Sequence, residues 1–226
     1  MSKARKAKFK LIDLSYPISH ETQVFPTYPK PAIVKWARLD VQGFEAEVIH
    51  MATHTATHID APLHMLNGGA SIDQLPLERF ILNALAIDMS FKKPKELITA
   101  EDLRKALSKI KFDIGDALLI YTGFEKRAGF PSYLTDHPGL SEDAASQIVD
   151  LKFSLVGVDT PNIDHPDSST FPAHKTLFKN GILVIENLRN LKKLVNKRFK
   201  LVALPLNIVG ATASPVRAVA LIEKKS

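Results

Sequence analysis

The 226 residues contain no cysteine, which excludes disulfides, thiolate metal sites and cysteine nucleophiles together. Any metal must therefore be held by imidazole and carboxylate. No apolar run approaches the roughly 20 residues that a membrane-spanning helix needs, so no membrane partner is expected. Residues 1–10 carry five Lys/Arg, but no apolar run follows them. A secretory signal is not expected, and the chain reads as cytoplasmic. Internal repeats and low-complexity linkers are missing as well. The net charge is +6, yet no helix-turn-helix, finger or aromatic–basic motif accompanies it, so nucleic acid is not an expected partner. The lysines gather instead in the N-terminal tail, at 92–95, 105–111 and 192–200, and at the last residues. Several stand beside acids, as in Glu101-Asp102-Leu103-Arg104-Lys105. That is the pattern of solvated helix faces and a loose basic tail.

What is present is an ordinary globular composition, 45% apolar and 24% charged, with a mean hydropathy near zero. The length suits one domain with a full core. We read a basic tail over 1–10 and a single domain over 11–226. Short runs rich in β-branched residues predict strands at Phe9–Ser15, Ile33–Trp36, Glu45–Met51, Leu82–Asp88 and Ala117–Tyr121. The same pattern predicts Leu155–Val158, Ile182–Ile185, Leu201–Leu206 and Ala218–Ile222. Pro17 to Pro31 is too rich in breakers for regular structure. One helix opens at Thr99, with Asp102 three residues on forming a capping box. A second opens at Ser141, and His174 to Lys179 adds a short third. Strands outnumber helices, which gives a mixed α/β domain with helices covering a partly mixed sheet.

Four of the eight histidines fall within residues 50–64, together with Asp60. On an extended backbone His58 and Asp60 share a side. His54 and His58 have helical i,i+4 spacing, but the threonines between them and Pro62 after them disfavour a long helix. A strand leading into a loop or a single turn still converges three ligands. No Glu follows His54, which separates the segment from the His-Glu-x-x-His metalloproteases. Four histidines and an aspartate in 15 residues point to a metal rather than to unrelated surface histidines.

His54-Thr55-Ala56-Thr57-His58-Ile59-Asp60-Ala61-Pro62-Leu63-His64 resembles the His-x-Gly-Thr-His-x-Asp-x-Pro-x-His signature of the metal-dependent cyclase-like hydrolases. Bacterial kynurenine formamidase and isatin hydrolase belong to that family. The resemblance runs from Ile12-Asp13-Leu14-Ser15-Tyr16-Pro17-Ile18 to Ser214-Pro215-Val216-Arg217. Val156-Gly157-Val158-Asp159-Thr160, Phe171-Pro172-Ala173-His174 and Ile185-Glu186-Asn187-Leu188 are similar to the family's later motif. The resemblance implies that His54, His58 and Asp60 bind a first metal. It implies further that Asp60 and Glu186 bridge to a second, which His174 also holds, and that His64 is the acid/base. It also implies a single swivelling α/β domain with a mostly antiparallel or mixed sheet, zinc or manganese at one or two ions per subunit, and a homo-oligomer (dimer or tetramer). Ala56 stands where the pattern has Gly, so either positive φ is not demanded there or some strain is tolerated. Phe25 takes the place of a Trp that contacts substrate in kynurenine formamidases, which weakens the assignment to kynurenine but leaves the metal chemistry untouched.

The residues agree with this chemistry. A bound divalent cation lowers the pKa of its water to about 7 and polarises a carbonyl, so metal-bound water is the expected nucleophile. His64, with an ordinary pKa near 6.5, suits proton transfer; its alternative role is a fourth ligand or an orienting group. The expected substrate is a small non-peptide amide, formamide, lactam or ester. Phe25, Tyr16 and Tyr28 are candidates to stack on an aryl group. The competing reading is a non-catalytic metal- or ligand-binding protein of the same fold.

Overall fold

Ala117–Tyr121 is a run of five residues buried without exception, which only a strand covered on both faces can be. The computed structural model describes residues 8–108 and 110–224. Its strands are β1 (Phe9–Asp13), β2 (Ala32–Ala37), β3 (Ala46–His50), β4 (His58–Asp60), β5 (Ile81–Asp88), β6 (Leu97–Ile98) and β7 (Ala117–Tyr121). They continue as β8 (Gly139–Leu140), β9 (Leu155–Val158), β10 (Leu183–Glu186), β11 (Arg198–Val202), β12 (Ala213–Pro215) and β13 (Val219–Glu223). The helices are α1 (Leu39–Gln42), α2 (Ala100–Leu107), α3 (Pro131–Thr135), α4 (Glu142–Asp150) and α5 (Pro172–Lys179).

Nine strands form one mixed sheet in the order β1-β13-β11-β5-β7-β9-β10-β4-β12. The centre, β5-β7-β9-β10, is parallel, and both flanks pair antiparallel. Period-2 alternation divides the central side chains between two cores. Ala117, Leu119 and Tyr121 join a core with Ile59 and Phe80. Leu118 and Ile120 join another, under α2, α4 and α5, with Leu103, Ile148 and Leu177. Gly157 on β9 is needed for close approach: a Cβ there would lie 2.5 Å from Leu119 Cδ2 and 2.6 Å from Leu188 Cδ1. The result is the single α/β domain with a mixed sheet that the sequence suggests. Among the described residues no helix is long and apolar enough to cross a membrane.

The Thr99 capping box forms in both directions, and Ser141 caps α4 through the Ala144 N–H. Most boundaries shift by one or two residues, and two differences matter. The strand expected over Leu201–Leu206 is β11, Arg198–Val202, because its last residue pairs with Ile81, where β5 begins. Beyond it Pro205, with no N–H to offer a ladder, makes only an isolated bridge with Val216. The division at residue 10 falls inside β1, since Phe9 and Lys10 pair with Glu223 and Ile222. Residues 1–7 of the expected tail lie outside the described residues. Helices α1 and α3 were not foreseen; both are short, and the Pro at the start of α3 reads locally as a loop breaker.

Candidate metal centre

β4 is wedged between β10 and β12, which buries all three of its residues. Its register sets Glu186 of β10 directly opposite His58, so the two side chains leave the sheet on the same side. His174 comes from the first turn of α5. Asp164 fixes that turn, accepting from the N–H groups of Ala173 (2.7 Å) and His174 (3.2 Å). The same carboxylate meets His174 Nδ1 at 2.6 Å, an arrangement that leaves Nε2 facing the centre.

Five side chains converge there. Ligand atoms of His54, His58 and Asp60 lie within 4.8 Å of one another, and so do those of Asp60, His174 and Glu186. Asp60 belongs to both groups. His54 Nδ1 is 2.8 Å and His58 Nε2 3.4 Å from Asp60 Oδ1. His174 Nε2 stands 3.2 Å from Glu186 Oε1 and 3.6 Å from Asp60 Oδ2. His58 Nδ1 meets the Ala56 carbonyl at 2.8 Å. A carbonyl only accepts, so Nδ1 carries the proton and Nε2 presents its lone pair to the carboxylates. His54 is held from behind by Thr212 Oγ1 at 3.0 Å and lies parallel to the Tyr28 ring.

The donors fit a divalent cation on an observation independent of residue type. Both oxygens of Asp60 and Nε2 of His174 are buried without a hydrogen-bond partner, and that is costly unless something else satisfies them. Even the 2.8 Å contact with His54 lacks hydrogen-bond geometry. Burial opposes charge on His174, but Asp164, Asp60 and Glu186 outweigh it and raise its pKa well above the ordinary value. Burial likewise works against ionised Asp60, yet His58 and His54 hold its pKa well below the usual range. Two buried carboxylates, Asp60 and Glu186, with both Asp60 oxygens unpartnered, call for a cation.

His64 follows β4 in a single tight turn, and its ring centroid lies 4.0 Å from that of His54 and 5.9 Å from that of His174. Burial pushes its pKa down to about 4, against the pull of Asp60 and with the rings of His54, His174 and His58 adding to the fall. It is neutral at pH 7. The centre forms the floor of a cavity of about 390 Å³ lined by Phe25, Tyr28, Leu134 and Phe171.

The structure brings together the six residues expected at the metal, His54, His58, Asp60, His64, His174 and Glu186, with Phe25 and Tyr28 in the cavity wall. His50 is exposed at the end of β3 and does not line the cavity. Tyr16 lines a different cavity. Ala56 has φ 53°, so the position does take positive φ, and the strain, about 1 kcal/mol for a residue with a Cβ, is tolerated. Sequence reasoning missed Asp164, Thr212 and His137. Nothing local signals them: Asp164 lies well upstream of the Phe171 N-cap of α5 and reaches its first turn only through the fold.

The Cyclase family profile matches residues 12–165. The kynurenine formamidase of Salinibacter ruber (strain DSM 13855 / M31) is 33% identical over 213 residues, 92% of this chain and 96% of that one. That of Bacillus mycoides (strain KBAB4) is 32% identical over 211 residues, 92% and 95% of the two chains. An isatin hydrolase bound to the product analogue thioisatinate superposes with a TM-score of 0.87 at 28% identity, covering 96% of this chain and 94% of its own.

Proposed function

The chain belongs to the cyclase family, and on that premise we propose that it hydrolyses the C–N bond of a small non-peptide amide, formamide or lactam at a divalent metal. The carrying observation is the buried Asp60 carboxylate, both oxygens unpartnered, ringed by three imidazoles and Glu186 at the floor of an aromatic-walled cavity. His54, His58, Asp60, His174 and Glu186 hold the metal, with Asp60 common to both groups. Zinc and manganese both accept this imidazole and carboxylate set. When bound, the cation supplies Lewis acidity toward the substrate carbonyl and acidifies water.

The chain's own groups do the rest. His64, neutral because it is buried, accepts a proton and returns it to the leaving nitrogen. Asp164 and the Ala56 carbonyl fix the rings of His174 and His58. Phe25 and Tyr28 offer an aryl substrate apolar faces. The test is elemental analysis of the protein and of Asp60→Asn, alongside turnover of a panel of aryl amides and lactams. Asp60→Asn loses its metal and its activity falls to background; equal metal content in both proteins would sink the reading.

The same reading includes a homo-oligomer, assembled through β2 and β3. This two-stranded ribbon exposes Val34, Trp36, Val48 and Ile49, with Leu39, Val41 and Phe44 at its turn. An isolated pair of strands is marginal in water; Val34, Trp36 and Val48 share one of its faces, and exposed apolar residues grouped this way mark an association site.

A further inference from the structure

Two cavities meet beside the metal centre. The larger holds the candidate ligands; the second, about 270 Å³, is walled by Tyr16, Pro17 and Tyr133. They share three residues, Gln23, Ala56 and Asn187. Ala56 precedes His58 by two positions and Asn187 directly follows Glu186, so the partition stands at the centre itself.

Two members of the partition are pinned. Gln23 donates from Nε2 to the Phe130 carbonyl and accepts at Oε1 from the Gly129 N–H, both at 2.9 Å. Asn187 accepts at Oδ1 from the Tyr133 hydroxyl at 3.0 Å. Ala56 contributes only a methyl group, on a backbone at φ 53° whose carbonyl is engaged by His58. It is the one part of the partition that can change size without breaking a side-chain hydrogen bond.

An amide whose carbonyl meets the metal centre has two substituents that diverge from it. The aromatic-walled cavity suits the nitrogen-linked half, which leaves the acyl half to point across the partition. Resting on the amide-hydrolase reading, we propose that the second cavity is the acyl subsite and that the Ala56 methyl sets how large an acyl group is accepted. The Tyr16 hydroxyl is taken by the Glu125 carbonyl, and the Tyr133 hydroxyl by Asn187 and the Asp159 carbonyl. What the two tyrosines leave for a ligand is ring surface, which with Pro17 and Ala128 in the same wall suits a short alkyl or aryl group. Glu21 in the same wall disfavours a carboxylate. Hydrolysis there adds water across the C–N bond; the acyl carbon gains oxygen and leaves as an acid, and the nitrogen leaves as an amine with the proton.

The test compares the metal-loaded protein with Ala56→Gly and Ala56→Ser on N-formyl, N-acetyl and N-butyryl aniline. In the parent, kcat/KM falls at each step of acyl size. Ala56→Gly flattens the fall from formyl to butyryl by about tenfold or more, the usual scale for fitting a methylene, and Ala56→Ser steepens it. Glycine takes this φ freely, so Ala56→Gly keeps its melting temperature. Thermal stabilisation by formate, butyrate and benzoate gives a readout without turnover: the larger acids stabilise Ala56→Gly more than the parent, and formate stabilises both alike. If no anilide is turned over but the acids behave this way, the reaction reading fails and the subsite stands. An unchanged acyl-size profile together with an unchanged acid ranking would overturn the subsite.

Discussion

The β2–β3 ribbon and the strands of the metal centre are separated by only residues 51–57, yet they treat the same kinds of residue in opposite ways. In β4 and β10 every side chain is buried, His58, Asp60 and Glu186 included. Around them His54 is backed by Thr212 and His174 by Asp164, while both oxygens of Asp60 have no hydrogen-bond partner. In the ribbon the apolar residues face outward, and Trp36, the one tryptophan of the chain, is 73% exposed while Ile59 of β4 is 0% exposed. Its polar contacts are exposed ion pairs such as Lys35–Glu47 and Arg38–Asp40, which contribute little. The donors of the centre come from one chain. The ribbon is the surface through which we propose a second copy docks.

The sharpest way to probe the first half of that contrast is His64, at the rim of the buried cluster rather than among the unpartnered groups. His64→Ala should keep its metal while kcat falls by roughly 10² to 10⁴, the scale of a lost general acid/base, with little change in KM. Metal content and kcat are measured on the one variant. Loss of both in proportion would make His64 a ligand, and the cluster larger than described.

Next in size is a pH effect confined to the buried side. Burial depresses His137 to about 4, whereas an unfolded histidine titrates near 6.5. Between those values the unfolded state binds more protons. The stability from keeping this ring neutral is therefore present above pH 6.5 and lost as pH falls toward 4, by roughly 3 kcal/mol in all. Denaturant melts from pH 7 to pH 4 should show a shallower decline for His137→Phe than for the parent. Parallel curves would mean that the ring titrates normally in the fold.

The smallest effect concerns the ribbon. Trp36→Lys should lower the mass of the assembly, weakening association by about 2 kcal/mol as for a buried aromatic anchor, and leave metal content untouched. Light scattering after size exclusion reads the mass. A parent that runs as a monomer, or a variant of unchanged mass, removes the ribbon as an interface. A variant that also sheds metal would erase the contrast between the two regions.

The chemistry of the centre and its nearest ligands were legible in the sequence. With no thiolate available, imidazole and carboxylate were the only donors, and His54, His58, Asp60 and His64 lie within eleven residues, where strand periodicity and Pro62 govern direction. The central strands were equally legible, because burial on both faces writes an unbroken apolar run. His174 and Glu186 were found through motif resemblance, and no local pattern would have joined them to Asp60. The fold supplied that link, by pairing β4 with β10 so that Glu186 faces His58 and by docking α5 over the same end of the sheet. Only the tertiary structure decided that Asp164 holds His174, that Thr212 backs His54, that Ala56 bends the chain at positive φ between two cavities, and that His137 is buried. Period and spacing encode which face a side chain takes; which faces become neighbours is settled by strand order and core packing over the whole chain.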